Sequence, residues 1–104
     1  MTDSPRNLLI IVTDQMRGAL FTGAFSGFGV TPNLDHLAAQ SVCFLDHHTN
    51  TVPCAPARAS LLTGCYAMTN GVSDNGIPLA RHFPTLATEL RTLGREPLLF
   101  GYTD

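Results

Sequence analysis

The chain contains no lysine: its six basic residues, Arg6, Arg17, Arg58, Arg81, Arg91 and Arg95, are all arginines. Any role that needs an amine of tunable pKa is therefore closed to these 104 residues. Basic runs are missing too. Eight acidic side chains against six basic ones leave a formal net charge of −2, and no stretch could neutralise a row of phosphates, so nucleic acid is not an expected partner. The longest apolar run, Leu8 to Val12, falls far short of a membrane span. Met1-Thr2-Asp3-Ser4-Pro5 lacks the basic and apolar regions of a signal peptide. These absences predict a soluble, cytoplasmic protein with no membrane contact. Three cysteines, Cys43, Cys54 and Cys65, are an odd number for a disulfide framework in a chain read as having no export signal.

What is present is the composition of a globular domain, 44 % apolar and long enough for one small core. Asn7 to Val12 is a continuous leucine and β-branched run, the pattern of a strand buried on both faces, and it ends in the polar Thr13-Asp14-Gln15. An acid at the carboxyl end of such a strand is a usual place for an α/β site. Residues 17–30 show no period and read as an irregular loop. Thr31-Pro32 opens a helix, with the threonine hydroxyl as cap and Leu34, Leu37 and Ala38 as its apolar face to about Ser41; Asp35 and His36 fall on the exposed side. Residues 42–45 read as a second strand.

Pro53-Cys54-Ala55-Pro56 cannot be helical throughout, yet Ala57 to Thr63 is good helix material stopped by Gly64, which puts Cys54 at or just before a helix N-terminus. Residues 65–83 are rich in Gly, Asn, Asp and Pro and read as a loop. Pro84 opens another helix with Leu86, Leu90 and Leu93 on one face and Gly94 as its stop; residues 97–101 give a third strand. The fold class this order predicts is α/β, a mostly parallel sheet flanked by helices. Three strands make only part of a sheet, so residues 1–104 read as one segment whose open edge calls for a missing C-terminal part or an oligomer partner.

Cys54-Ala-Pro-Ala-Arg58 followed by a small-residue helix ending in Thr63-Gly64 fits C-x-P-x-R…T-G. That pattern resembles the signature of the sulfatases, in which the cysteine is oxidised to formylglycine by a formylglycine-generating enzyme. The spacing has physical sense: an aldehyde hydrate at a helix N-terminus sits among free N–H groups at the positive end of the dipole, and Arg58, one turn on, can reach the same anion. The resemblance continues at Asn7 to Asp14, where the family's strand ends in paired metal-binding acids; Gln15 stands at the second acid's place. Thr31-Pro-Asn-Leu-Asp35-His-Leu-Ala38 is similar to a structural helix of the family. The Thr13-Asp14-Gln15 strand end, the segment 70–79 and residues 100–104 look most like phosphonate monoester hydrolases and their arylsulfatase relatives, in which an asparagine and a tyrosine line the anion site; the matching positions are Asn75 and Tyr102, with Thr103 beside it.

The resemblance implies the N-terminal part of an alkaline-phosphatase-like sandwich and a sulfuric ester hydrolase acting on a small sulfate or phosphonate ester. Its catalytic residues would be formylglycine from Cys54, and Arg58. Asn75, Tyr102 and Thr103 would bind substrate, and Asp14, Gln15 and Cys54 would hold a divalent metal, calcium or manganese or else magnesium. A phosphonate or phosphate ester hydrolase of the same fold, and a noncatalytic truncated fragment, stand as alternatives. Without the resemblance, Cys54 reads as a small buried thiol, Asp14 as a cap after a strand, Asn75 as a turn residue and Tyr102 as a strand-end aromatic. Cys43 and Cys65 match no motif and keep the buried-thiol reading. The family's remaining metal ligands lie outside these residues, so metal binding and turnover by this stretch alone are expected to be weak.

Overall fold

The structure is a computed structural model that describes residues 7–22 and 29–101. The chain divides into two compact units, Met1–Asp46 and His47–Asp104. The first holds two helices. α1 (Ala19–Thr22) is a single turn opened by a bond from the Leu20 N–H to the Arg17 carbonyl at 3.1 Å. It lies inside the stretch 17–30 expected to be an irregular loop, because four residues are too few to show a 3.6-residue period. Residues 23–28 of that stretch lie outside the described residues.

α2 (Pro32–Ala39) starts, as expected, with proline in its first turn. The expected threonine cap does not form: the Thr31 hydroxyl donates instead to Asp35 Oδ1 at 3.0 Å, one turn away. Thr31 stands at φ −129° and ψ 56°, away from the extended backbone from which a cap oxygen reaches the second or third helical N–H. Asp35 and His36 are exposed, as read from the sequence.

The second unit contains α3 (Cys54–Thr63), α4 (Ala67–Asn70) and α5 (Leu86–Thr92), with α4 and α5 both packed against α3. α3 begins at Cys54 itself and ends at Gly64, which takes the left-handed conformation (φ 68°) and donates its N–H to the Ser60 carbonyl at 2.9 Å. α4 lies in the expected loop 65–83. It is one turn of Ala-Met-Thr-Asn stopped by Gly71 at φ 80°, again too short for a period to betray it.

α5 is opened by Thr85 rather than by Pro84. The Thr85 hydroxyl accepts the Thr88 N–H at 3.2 Å and the Thr88 hydroxyl accepts the Thr85 N–H at 2.7 Å, a reciprocal capping box with threonine in the usual Glu position. Gly94 ends it in a Schellman arrangement: Arg95 N–H bonds the Leu90 carbonyl at 3.0 Å and Gly94 N–H bonds the Arg91 carbonyl at 3.0 Å.

The core of this unit is small. Ala55, Ala59 and Val72 are buried and Leu79 packs against them, while Pro56 and Ser60 are buried on α3 as well. Alanine and serine on that face keep the helix surface low enough for the 72–79 loop to lie directly on it.

The expected strands over 7–12, 42–45 and 97–101 are not formed among the described residues. Their apolar side chains stand in the open, from Ile10 at 51 % exposure to Phe100 at 87 %. A strand, unlike a helix, satisfies its backbone only through a neighbouring strand, and buries its side chains only under a second layer. The described residues supply neither, so these runs keep the composition of strands without the ladder. Among the described residues no helix is long and apolar enough to cross a membrane.

A Cβ added at Gly64 meets nothing within 4 Å, so substitution there tests backbone conformation alone. Gly64→Val should lower the unfolding free energy by ~1–2 kcal/mol, and Gly64→Asn by clearly less, because asparagine tolerates the left-handed region. Urea midpoints at unchanged slope check the order.

Candidate active site

The site begins with the reason α3 starts where it does. Pro53 has no N–H to lose at a helix entry, and Pro56 occupies the third helical position, where an N–H would have no intrahelical acceptor in any case. Cys54 is thus held as the first residue of α3, half-buried. α3 carries no acidic side chain in its first turn, so nothing on the helix itself offsets the positive end of its dipole beside the thiol.

Asn75 comes to that point from the loop. Its Oδ1 accepts the Cys54 thiol at 3.4 Å and the Ala55 N–H at 3.0 Å. The loop is shaped for it: Ile77 N–H bonds the Asp74 carbonyl at 3.4 Å across a turn with Gly76 at φ 82°, and Asp74 Oδ1 accepts the Asn75 N–H at 2.7 Å. Asn75 is thus a turn residue, as one reading had it, and the turn sets its side chain against the start of α3.

Arg58 lies one turn beyond Cys54 on α3 and is half-buried. It lines a cavity of about 230 Å³ whose other walls include Leu62, Val72, Ile77, Pro78 and Leu79. The second unit thus joins Cys54 to Asn75 directly and sets Arg58 beside an apolar hollow on the same helix.

Asp14 and Gln15 belong to the first unit. Gln15 has φ 50°, the one non-glycine residue at positive φ among those described. A side-chain-bearing residue held there is strained, and such strain collects at functional positions. Tyr102 and Thr103 lie outside the described residues.

Among the described residues no group of three His, Cys, Asp or Glu side chains could hold a metal ion. One carboxylate and one amide carbonyl at 14 and 15 fall well short of the six or more oxygens that calcium or magnesium requires. The expected set Asp14, Gln15 and Cys54 therefore does not make a metal site by itself. Formylglycine at Cys54 fits better, since Asn75 Oδ1 can accept from an O–H there as it does from the S–H.

The other cysteines depart from their expected burial. Cys43 is exposed, its thiol 3.8 Å from the Ala38 carbonyl, and Cys65 is half-buried, its thiol 3.6 Å from the Thr63 carbonyl. Among the described residues no strand forms at 42–45, and the Cys43 thiol stands exposed. Two residues that sequence reasoning passed over organise the loop. Asp74 fixes Asn75, and buried Asn70 donates to the Cys65 carbonyl at 3.3 Å while accepting the Val72 N–H at 2.9 Å. Their signal was the repeated Asn-Gly pair at 70–71 and 75–76, which marks turns.

The sulfatase family profile matches residues 6–103, and the chain belongs to the sulfatase family. It is 42 % identical over 103 residues to the multifunctional alkaline phosphatase superfamily protein PehA of Trinickia caryophylli, covering 94 % of this chain and 20 % of that protein. It is 39 % identical over 101 residues to the choline-sulfatase of Rhizobium meliloti (strain 1021), covering 97 % of this chain and 20 % of that protein. The ulvan-active sulfatase of Formosa agariphila is 44 % identical over 95 residues, 91 % of this chain and 19 % of its own length. The chain therefore spans about a fifth of the length of these curated relatives. No solved structure matches it significantly. Membership implies the alkaline-phosphatase-like α/β fold, although the described residues form only its helices.

If Gln15 is held in the left-handed region at the expense of stability, Gln15→Gly should raise the unfolding free energy by about 1 kcal/mol. Gln15→Ala, which keeps the strain, should bring no gain. Paired unfolding midpoints decide.

Proposed function

We propose that this chain supplies the nucleophile-bearing part of a formylglycine-dependent sulfuric ester hydrolase. The observation that carries the reading is the grouping at the start of α3: Cys54 at the first position, Asn75 Oδ1 3.4 Å from its sulfur, and Arg58 one turn along. Membership of the sulfatase family supports the reaction class, and the choline-sulfatase and ulvan-active sulfatase supply the precedent of sulfate ester substrates. Once converted, Cys54 would offer a hydroxyl nucleophile at sulfur and a second hydroxyl through which the inorganic anion is released.

The chain's own residues do the rest of what can be assigned. The Cys54 N–H, a first-turn donor without an intrahelical acceptor, and the positive end of α3 favour an oxyanion at this point. Arg58 offers a planar set of donors to the tetrahedral anion and holds it against the nucleophile. Asn75 Oδ1 orients the O–H by accepting from it. Tyr102 and Thr103 belong to the same proposal as substrate-binding residues. Asp14 and Gln15 would contribute two oxygens to a divalent site completed by residues outside this chain.

A second substrate class is favoured by two observations. The chain lacks every lysine, so a lysine on the transferred anion cannot come from these residues, and one of its relatives is a multifunctional alkaline phosphatase superfamily protein. Sulfuryl and phosphoryl transition states share charge and shape, so the same site can serve a phosphonate or phosphate ester.

Intact mass and fragmentation of the Cys54 peptide, after production with a formylglycine-generating enzyme that converts a control sulfatase, test the central claim. The thiol-to-aldehyde mass loss is expected at Cys54 alone, with Cys43 and Cys65 unchanged; an unconverted Cys54 removes the nucleophile and the proposal. In the protein carrying its full catalytic domain, Arg58→Ala should lower kcat/KM for an aryl sulfate by ~10²–10³, and Arg58→Lys should not restore it, because a point charge does not reproduce the guanidinium fork. Rates on aryl sulfate and aryl phosphonate esters in that protein separate the two substrate classes.

A further inference from the structure

The start of α3 has an unusual set of donors. The first N–H groups of a helix lack intrahelical acceptors, and the side chain at the N-cap ordinarily accepts from the second or third of them. Here the N-cap is Pro53, whose ring carries no acceptor, and no side-chain cap bond is made from it. The third helical residue is Pro56, which has no N–H. Intrahelical bonding begins with the Ala57 N–H to the Pro53 carbonyl at 3.2 Å. The donor that a cap would satisfy is therefore the Ala55 N–H alone. It bonds Asn75 Oδ1 at 3.0 Å, across 20 residues of chain.

We propose that Asn75 is the N-cap of α3, delivered from outside the helix, and that through this cap it is the positioning residue for Cys54. Three features converge on it. Asparagine is among the best capping residues, and its oxygen bonds the position that a cap serves. The Ala55 N–H can only donate, so it fixes which end of the amide faces the helix and turns the carbonyl oxygen toward the Cys54 thiol, 3.4 Å away. Asn75 is itself held from behind, its own N–H on Asp74 Oδ1 at 2.7 Å within the turn closed by Ile77. One oxygen thus joins the loop, the helix start and the reactive side chain, and leaves the two amide N–H donors for other partners.

The proposal deepens the reading of Cys54 as nucleophile, but its test does not depend on turnover or on conversion. Amide hydrogen exchange at Ala55, with Ala59 as the internal reference for an intact α3, reports the cap. Three-bond couplings about the Cα–Cβ bond of Cys54 report whether its side chain holds one rotamer. Asn75→Ala should speed exchange at Ala55 by tenfold or more relative to Ala59 and average the Cys54 couplings. Asn75→Asp, which keeps an acceptor of the same reach, should preserve both, whereas Asn75→Gln, one methylene longer, should not. A turn residue without a capping role would leave Ala55 exchange and the Cys54 rotamer unchanged in Asn75→Ala, and that result overturns the proposal. Should Asn75→Ala abolish protection throughout α3, Asn75→Asp decides alone: protection kept at Ala55 supports the cap, and protection lost overturns it.

Discussion

A cysteine that must stand at the first position of a helix, flanked by Pro53 and Pro56, leaves that helix unable to cap itself. The prolines define the entry of α3 and remove donors that would otherwise need partners, but they also remove the side chain that would normally close the first turn. The bond from the Ala55 N–H to Asn75 Oδ1 answers that deficit. Because its acceptor sits in a loop, the same bond ties residues 74–77 to the helix and brings an amide to the thiol of Cys54. Local chain chemistry at 53–56 and long-range loop placement are in this way one constraint.

The packing behind the site follows from the same requirement. For Asn75 to reach Ala55, the loop must lie on α3 itself, and Ala55, Ala59 and Ser60 leave room for it where larger side chains would hold it off. Val72 and Leu79 fix the two ends of the approach by packing on that small-residue face. What remains open between them is the hollow lined by Arg58 and Ile77. A long guanidinium side chain on an otherwise low helix face can lay its apolar stem along such a surface.

The parts of this chain that were legible in the sequence are those whose physics is local. Pro32, Gly64 and Gly94 mark helix limits by their own backbone preferences, and the structure follows them to within a residue. Thr85 in place of Pro84, and the one-turn helices at 19–22 and 67–70, escaped because side-chain competition and single turns leave no periodic trace. The strands at 7–12, 42–45 and 97–101 were read from composition, and composition states only what a segment can do once paired. Cys54 at a helix start was legible for the same local reason, from prolines and a terminating glycine. Its bond to Asn75 was not, since a spacing of 21 residues carries no rule until the loop is folded.

The arginine-only composition bears on what these residues can contribute to the proposed reaction. A guanidinium stays charged at any working pH and offers a fixed fork, so in the proposed reaction Arg58 would bind and orient the anion and would not serve as a proton donor to the leaving group. In the proposed reaction these residues would present the nucleophile and receive the anion. The stretch matches about a fifth of its relatives' length. In that proposal binding and orientation of the anion would rest with α3 and the Asn75 cap.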